Sequence, residues 1–203
     1  MEIKRFIVSP FQTNCYVIYQ DDYAIVIDPG DNGKKIIKFV KDNNLNIKAI
    51  LLTHGHIDHI GAVDSIYNTF NCPVYINEKD NEFLTNPSLN LSNSFNLTPK
   101  VINLKMNNES KYNYGDFDFE FIHTPGHTPG SSIILLNKNI MFSGDTLFKD
   151  GIGRTDFPKS SNTDMKSSLN IIKNLATNYT IYPGHGEYTT LDYEKENNVY
   201  LKS

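Results

Sequence analysis

Short runs of apolar and β-branched residues punctuate this chain, and the spacing within each run predicts its element. Residues 6–8, 15–19 and 24–27 are rich in aromatic and β-branched side chains and are separated by polar turns, which predicts a β-hairpin start. The third run ends in Asp28-Pro29-Gly30. Ile36, Ile37 and Val40 then recur at helical spacing, predicting a buried helix face over residues 32–43. Residues 48–52 form a short apolar strand, after which Ile60, Val63, Tyr67 and Phe70 mark one helix.

A strand over residues 73–76 follows. Residues 77–99 turn polar while keeping Phe83, Leu84, Leu89, Leu91, Phe95 and Leu97, and a short helix plus a surface loop is expected there in preference to a substrate-covering lid. Phe117, Phe119 and Phe121 alternate with polar residues, the pattern of a half-buried strand. Residues 132–136 and 140–142 are further strands. Met165, Leu169, Ile172 and Leu175 mark a helix with Ser161 or Thr163 as its N-cap, residues 179–182 the last clear strand, and residues 192–197 an acidic helical stretch. This order predicts a layered α/β sandwich forming a single domain over residues 1–203.

Composition narrows the function classes. A chain of 203 residues can bury a substantial core, and its net charge of -4 offers no general attraction to nucleic acid or an anionic membrane. No run of apolar residues is long enough to span a bilayer, and the N-terminus lacks a signal-peptide pattern, so a cytoplasmic protein is expected. Cys15 and Cys72 fall in strand-like contexts and read as buried free thiols.

The chemistry concentrates in Thr53-His54-Gly55-His56-Ile57-Asp58-His59-Ile60-Gly61, which follows the end of a strand. His54 and His56 face the same way in an extended segment, and Asp58 and His59 follow at a helix start. Imidazole and carboxylate are ligands for zinc, iron or manganese, although a solvated histidine-rich turn is the plainer alternative. His127, Asp145 and His185 also follow apolar strands, each flanked by glycine or proline that permits a tight turn.

The signature His-x-His-x-Asp-His with a later His, Asp and His resembles the metallo-β-lactamase superfamily. Within it, the segments 27–30, 123–130, 144–148, 153–156 and 183–186 look like those of short glyoxalase II-like hydrolases. The resemblance implies a four-layer αββα sandwich with a two-metal site at one edge. By motif, His54, His56 and His127 would hold one cation and Asp58, His59 and His185 the other, with Asp145 bridging. A hydroxide held between the metals, zinc first with iron or manganese as alternatives, would then attack an acyl carbonyl. Asp58 could instead accept a proton where only one metal binds.

Around that set, Asp28 either orients a ligand histidine or shapes its Pro-Gly turn. His123 is expected to make structural hydrogen bonds outside the metal site. Arg154 and Asp156 are expected to pair and fix their loop, with substrate contact the lesser reading. Tyr188 lies near where the family places a glutathione-contacting tyrosine, with Gly186 altering the spacing.

Full-length glyoxalase II enzymes carry a further helical domain after the last histidine. Only 18 residues follow His185 in this chain, so that domain is expected to be missing. The favoured expectation is hydrolysis of a small-molecule thioester such as S-lactoylglutathione. A mononuclear-iron persulfide dioxygenase using His54, His127 and Asp145 ranks lower, because Ser131 and Ser132 stand where those enzymes usually place a cysteine. Another small-molecule hydrolase of the superfamily and a non-enzymatic metal-binding module are the remaining alternatives.

Overall fold

The computed structural model describes residues 1–94, 97 and 100–202. Phe95, counted above among the apolar residues of its segment, lies outside the described residues. The first half contributes a sheet of six strands in the order β1 (Glu2–Val8), β2 (Thr13–Gln20), β3 (Tyr23–Ile27), β4 (Asn46–Leu51), β5 (Val74–Tyr75) and β6 (Met106–Asn107). β1 to β3 form an antiparallel meander, and helix α1 (Gly33–Asp42) crosses from β3 to the parallel β4. Helices α2 (Ile57–Ile60) and α3 (Val63–Phe70) lead on to β5. A 3-10 turn at Glu78–Asp80 and α4 (Asn81–Thr85) come before β6.

The second half repeats the scheme. Strands β7 (Lys111–Tyr114), β8 (Phe117–His123), β9 (Ser132–Leu136) and β10 (Ile140–Gly144) run antiparallel. The small hairpin β11 (Leu147–Phe148) with β12 (Gly151–Ile152) and helix α5 (Asn162–Lys173) then lead to β13 (Thr180–Pro183), parallel to β10. β14 (Thr189–Thr190), α6 (Leu191–Asn197) and α7 (Val199–Lys202) finish the chain. The relation between the halves that the sequence only hints at is thus explicit in the connections: an antiparallel meander, a crossover helix, then a parallel strand.

Alternation along the strands builds the layers. On β2, Cys15 and Val17 face α1 and α3, packing with Ile36, Val40, Val63 and Ile66, whereas Tyr16 and Ile18 face the second sheet. There they meet Phe117, Phe119, Ile134 and Phe142. Ile133, Leu135 and Met141 point the other way, onto Met165, Leu169 and Ile172 of α5. Both faces of each central strand are therefore buried, so every residue of β3, β9 and β10 lies in the interior. The result is the expected α/β/β/α sandwich. Ser161 is the α5 cap, its side chain accepting from the Asp164 amide at 3.1 Å. Among the described residues no helix is long and apolar enough to cross a membrane.

One expectation needs correction and one needs narrowing. The single helix through Ile60 and Phe70 is broken after Gly61, because the turn at Asp28-Pro29-Gly30 inserts against it: the Ala62 amide donates to the Pro29 carbonyl at 2.8 Å, and a Cβ on Gly61 would sit 2.2 Å from the Gly30 oxygen. The surface loop expected after α4 is only partly at the surface. Leu89, Asn90, Leu91 and Ser92 are buried, and Asn90 ties the segment down by accepting the Ile57 amide on its carbonyl and donating its side-chain amide to the Phe83 and Lys100 carbonyls.

Candidate metal centre

Four loops meet at one edge of the sandwich: those after β4, β8, β10 and β13, carrying His54–His59, His127, Asp145 and His185 respectively. Backbone bonds join them. The Ser132 amide donates to the Thr53 carbonyl at 2.9 Å, the Gly184 amide to Gly144 at 2.8 Å, and the Asn14 amide to Gly184 at 2.7 Å. Gly184 is required by close approach, since a Cβ there would lie 2.2 Å from Asp145 Oδ1.

The seven expected ligands are brought together. Potential ligand atoms of His54, His56 and His127 lie within 4.8 Å of one another, as do those of His54, His59 and Asp145 and those of Asp58, His59 and His185. Asp145 reaches across the groups, with Oδ1 3.3 Å from His59 Nε2 and Oδ2 3.5 and 3.4 Å from Nε2 of His127 and His185. Asp58 Oδ2 is 3.3 Å from His185 Nε2.

Outer partners fix which nitrogen of each ring faces inward, as assigned from the hydrogen-bond network. His59 Nδ1 donates to Asp28 Oδ2 at 3.0 Å, His127 Nδ1 to the Arg154 carbonyl at 2.8 Å, and His185 Nδ1 to the Phe11 carbonyl at 3.1 Å. Thr53 Oγ1 spends its proton on Asp28 Oδ2 at 2.6 Å, so it accepts from His54 Nδ1 at 3.1 Å. Four rings thus turn Nε2 toward the centre. His56 instead faces His127 Nε2 with Nδ1, at 2.9 Å.

These inward atoms test whether a cation suits the site. His54 Nε2, His59 Nε2 and Asp145 Oδ1 are buried without a hydrogen-bond partner, as is Nε2 of His56, whose other nitrogen faces His127. Each such group costs about 1–3 kcal/mol when left unsatisfied. Three of them at the centre, two on rings and one on a carboxylate, match the donors that divalent zinc, iron or manganese takes. Burial also holds His54, His56 and His127 below the usual histidine range, as neutral ligands require. At His59 and His185 burial pushes the same way, but the carboxylates of Asp58 and Asp145 overcome it, and His185 is raised to about 10. The same pairing holds Asp58 at about 2 against its burial.

Above the cluster opens a cavity of about 340 Å³. Its floor includes His56, Asp58, His127, Asp145 and His185, and Phe11, Leu91, Phe148, Ile152 and Phe157 form an apolar wall. Leu91 gives the segment after α4 a place in the site. Arg154 reaches the rim, stacked 4.3 Å over the Phe157 ring and bonded through two nitrogens to Asp156 at 2.8 and 2.7 Å.

Other expectations divide. Asp28 stands behind the ligands, accepting from Thr53 and His59. His123 bonds the Pro129 carbonyl at 2.8 Å, outside the metal groups. Asp156 does not line the cavity. Nor does Tyr188, which is 62% exposed and follows Gly186 at φ +77°. Sequence reasoning missed Thr13, whose hydroxyl donates to Asp58 Oδ2 at 2.7 Å, and the buried Asp80. A lone threonine in a strand and an aspartate in a polar stretch carry no local signal.

The metallo-β-lactamase superfamily profile matches residues 8–185. A Haemophilus influenzae protein named hydroxyacylglutathione hydrolase GloC is 36% identical over 210 residues, covering 100% of this chain and 99% of its own. The crystal structure of BLEG-1 B3 metallo-β-lactamase superposes with a TM-score of 0.92 at 38% identity, covering 100% of both chains. A structure of TTHA1623 in a di-iron-bound form gives 0.88 at 30% identity, over 98% of this chain and 100% of that one. Architecture, ligand cluster and full-length relatives agree: the chain belongs to the metallo-β-lactamase superfamily and is a metal-dependent hydrolase of that fold.

Proposed function

We propose that this hydrolase is a thioesterase of the glyoxalase II type, acting on S-lactoylglutathione or a related small-thiol thioester with two divalent cations at the cluster. The observation that carries the two-metal reading is Asp145, whose two oxygens face different histidines and so can serve both halves of the ligand set. His54, His56 and His127 would hold one cation, Asp58, His59 and His185 the other, and Asp145 both. Zinc is favoured, and the di-iron form of a related structure keeps iron, like manganese, open. The thioester reading draws support from the full-length relative named for hydroxyacylglutathione hydrolysis.

When bound, a cation pair polarises an acyl oxygen and lowers the pKa of water enough to supply a nucleophile near neutral pH. The protein's residues do the rest. Asp28, Thr53, Phe11 and Arg154 hold the rings in place through their outer nitrogens. Asp58 lines the cavity with its carboxylate held by Thr13, and where only one cation binds that carboxylate is free to take up a proton instead of serving as a ligand. The apolar wall excludes water on one side of a small acyl group, and the cavity's size suits a small molecule rather than nucleic acid or membrane.

A single-iron dioxygenase would use His54, His127 and Asp145 and leave His56, Asp58, His59 and His185 idle, which is why hydrolysis is favoured. The test is a parallel assay on one metal-analysed sample with S-lactoylglutathione, a chromogenic β-lactam, and glutathione persulfide under oxygen-uptake recording. Thioester hydrolysis as the dominant activity is expected. Lactam turnover exceeding it, or oxygen uptake with one iron per chain, would overturn the proposal.

A further inference from the structure

We infer that Asp80 is a positioning residue for the metal centre, a buried carboxylate that sets the distance between the loop of His54 and His56 and the loop of His127. The inference rests on the proposed metal reading of that cluster. Asp80 ends the 3-10 turn after β5 and is fully buried. Its Oδ2 accepts from the Gly55 amide at 2.9 Å and from Thr128 Oγ1 at 2.7 Å, and its Oδ1 from the Gly130 amide at 2.6 Å. Gly55 lies between two ligands and Thr128 follows the third, so one side chain grips both loops.

A structural carboxylate placed only for stability would ordinarily sit where water or a cation offsets its burial. Among the described residues no lysine or arginine pairs with Asp80, and its partners are two amides and a hydroxyl. All three are donors, a pattern that an ionised carboxylate satisfies and a neutral amide does not, because the NH₂ of asparagine would face a donor. Gly130 is shaped to Asp80, and Gly55 to the neighbouring Phe83. A Cβ on Gly130 would lie 2.6 Å from Asp80 Oδ1, and one on Gly55 would lie 2.5 Å from Phe83 Cβ. Thr128 Oγ1 also meets Ser131 Oγ at 2.8 Å, which fixes the threonine rotamer that presents its proton to Asp80.

Backbone contact between Ser132 and Thr53 already ties the two loops at their roots. Asp80 acts nearer their tips, where His56 Nδ1 and His127 Nε2 stand 2.9 Å apart. A small shift there changes whether both rings can serve one cation.

The experiment measures metal stoichiometry and chelator-competition affinity of the parent, Asp80→Asn, Thr128→Val and Thr128→Ser, together with the visible spectrum of each loaded with cobalt(II). Circular dichroism and melting of the chelated proteins report the fold separately. Expected are a roughly 10–100-fold loss of affinity in Asp80→Asn, a smaller loss in Thr128→Val, an altered cobalt spectrum in both, and rescue in Thr128→Ser. Parental affinity and spectrum in a folded Asp80→Asn protein would overturn the inference. If that variant does not fold, Thr128→Val with parental affinity overturns it equally. A parent that binds no metal would instead defeat the underlying metal reading.

Discussion

Asp28 Oδ2 receives the Nδ1 proton of His59 at 3.0 Å, and through this contact a residue 31 positions earlier decides which nitrogen His59 turns inward. Asp28 adopts φ +48°, a left-handed conformation that asparagine also tolerates, so Asp28→Asn leaves the backbone undisturbed while replacing one carboxylate oxygen by a donor. The expected outcome is a roughly 10–100-fold weaker metal affinity with the fold retained, read by chelator competition.

Gly184 offers a test that changes no ligand. In Gly184→Ala the new methyl would sit 2.2 Å from Asp145 Oδ1 and 2.8 Å from His59 Cε1. Asp145 must then swing away. Metal analysis is expected to show loss of at least one cation per chain, and turnover should fall by about 100-fold or more. Full occupancy and activity in this variant would contradict the placement of Asp145.

Thr13 donates to Asp58 Oδ2 at 2.7 Å, and valine matches its shape without the hydroxyl. Thr13→Val is expected to lower kcat by about tenfold with little change in KM, since it alters how Asp58 is held rather than how substrate packs.

Much of this was legible in the sequence, for a physical reason. His54, His56, Asp58 and His59 sit within one strand-to-helix junction, and the remaining ligands each follow an apolar strand, so local pattern exposes them. Thr13 and Asp80 act across 45 and 48 positions through hydrogen bonds that leave no periodic trace. The break between α2 and α3 comes from the Pro29 carbonyl, a tertiary intrusion that apolar spacing cannot register. Tyr188 follows the left-handed Gly186 and is exposed outside the cavity lining, a placement that sequence spacing alone does not reveal.

That placement supplies a prediction of its own. Tyr188 is exposed and does not line the cavity, so Tyr188→Ala is expected to leave KM and kcat for a thioester within about twofold, read by steady-state kinetics.

Protons and cations compete for the same lone pairs. Burial lowers His59 and His185, but Asp58 and Asp145 raise both above the usual histidine range, His185 to about 10. In chelated protein His185 is therefore charged at pH 7, and metal uptake there should release a proton from it. Their raised values stabilise the chelated fold fully below the ordinary histidine pKa, about 6.5, and that stabilisation is lost as pH rises toward 10. Metal affinity rises over the same window. The gap in melting temperature between loaded and chelated protein is expected to widen from pH 6 to pH 9; a constant gap would contradict this assignment.

The most direct test of the shared-Asp145 centre is a titration of chelated protein with zinc, followed by bound metal per chain, for the parent and for Asp145→Asn. The account predicts saturation at two cations in the parent and at most one, weakly held, in the variant. Saturation at a single cation in the parent, or two tightly bound in Asp145→Asn, would contradict it.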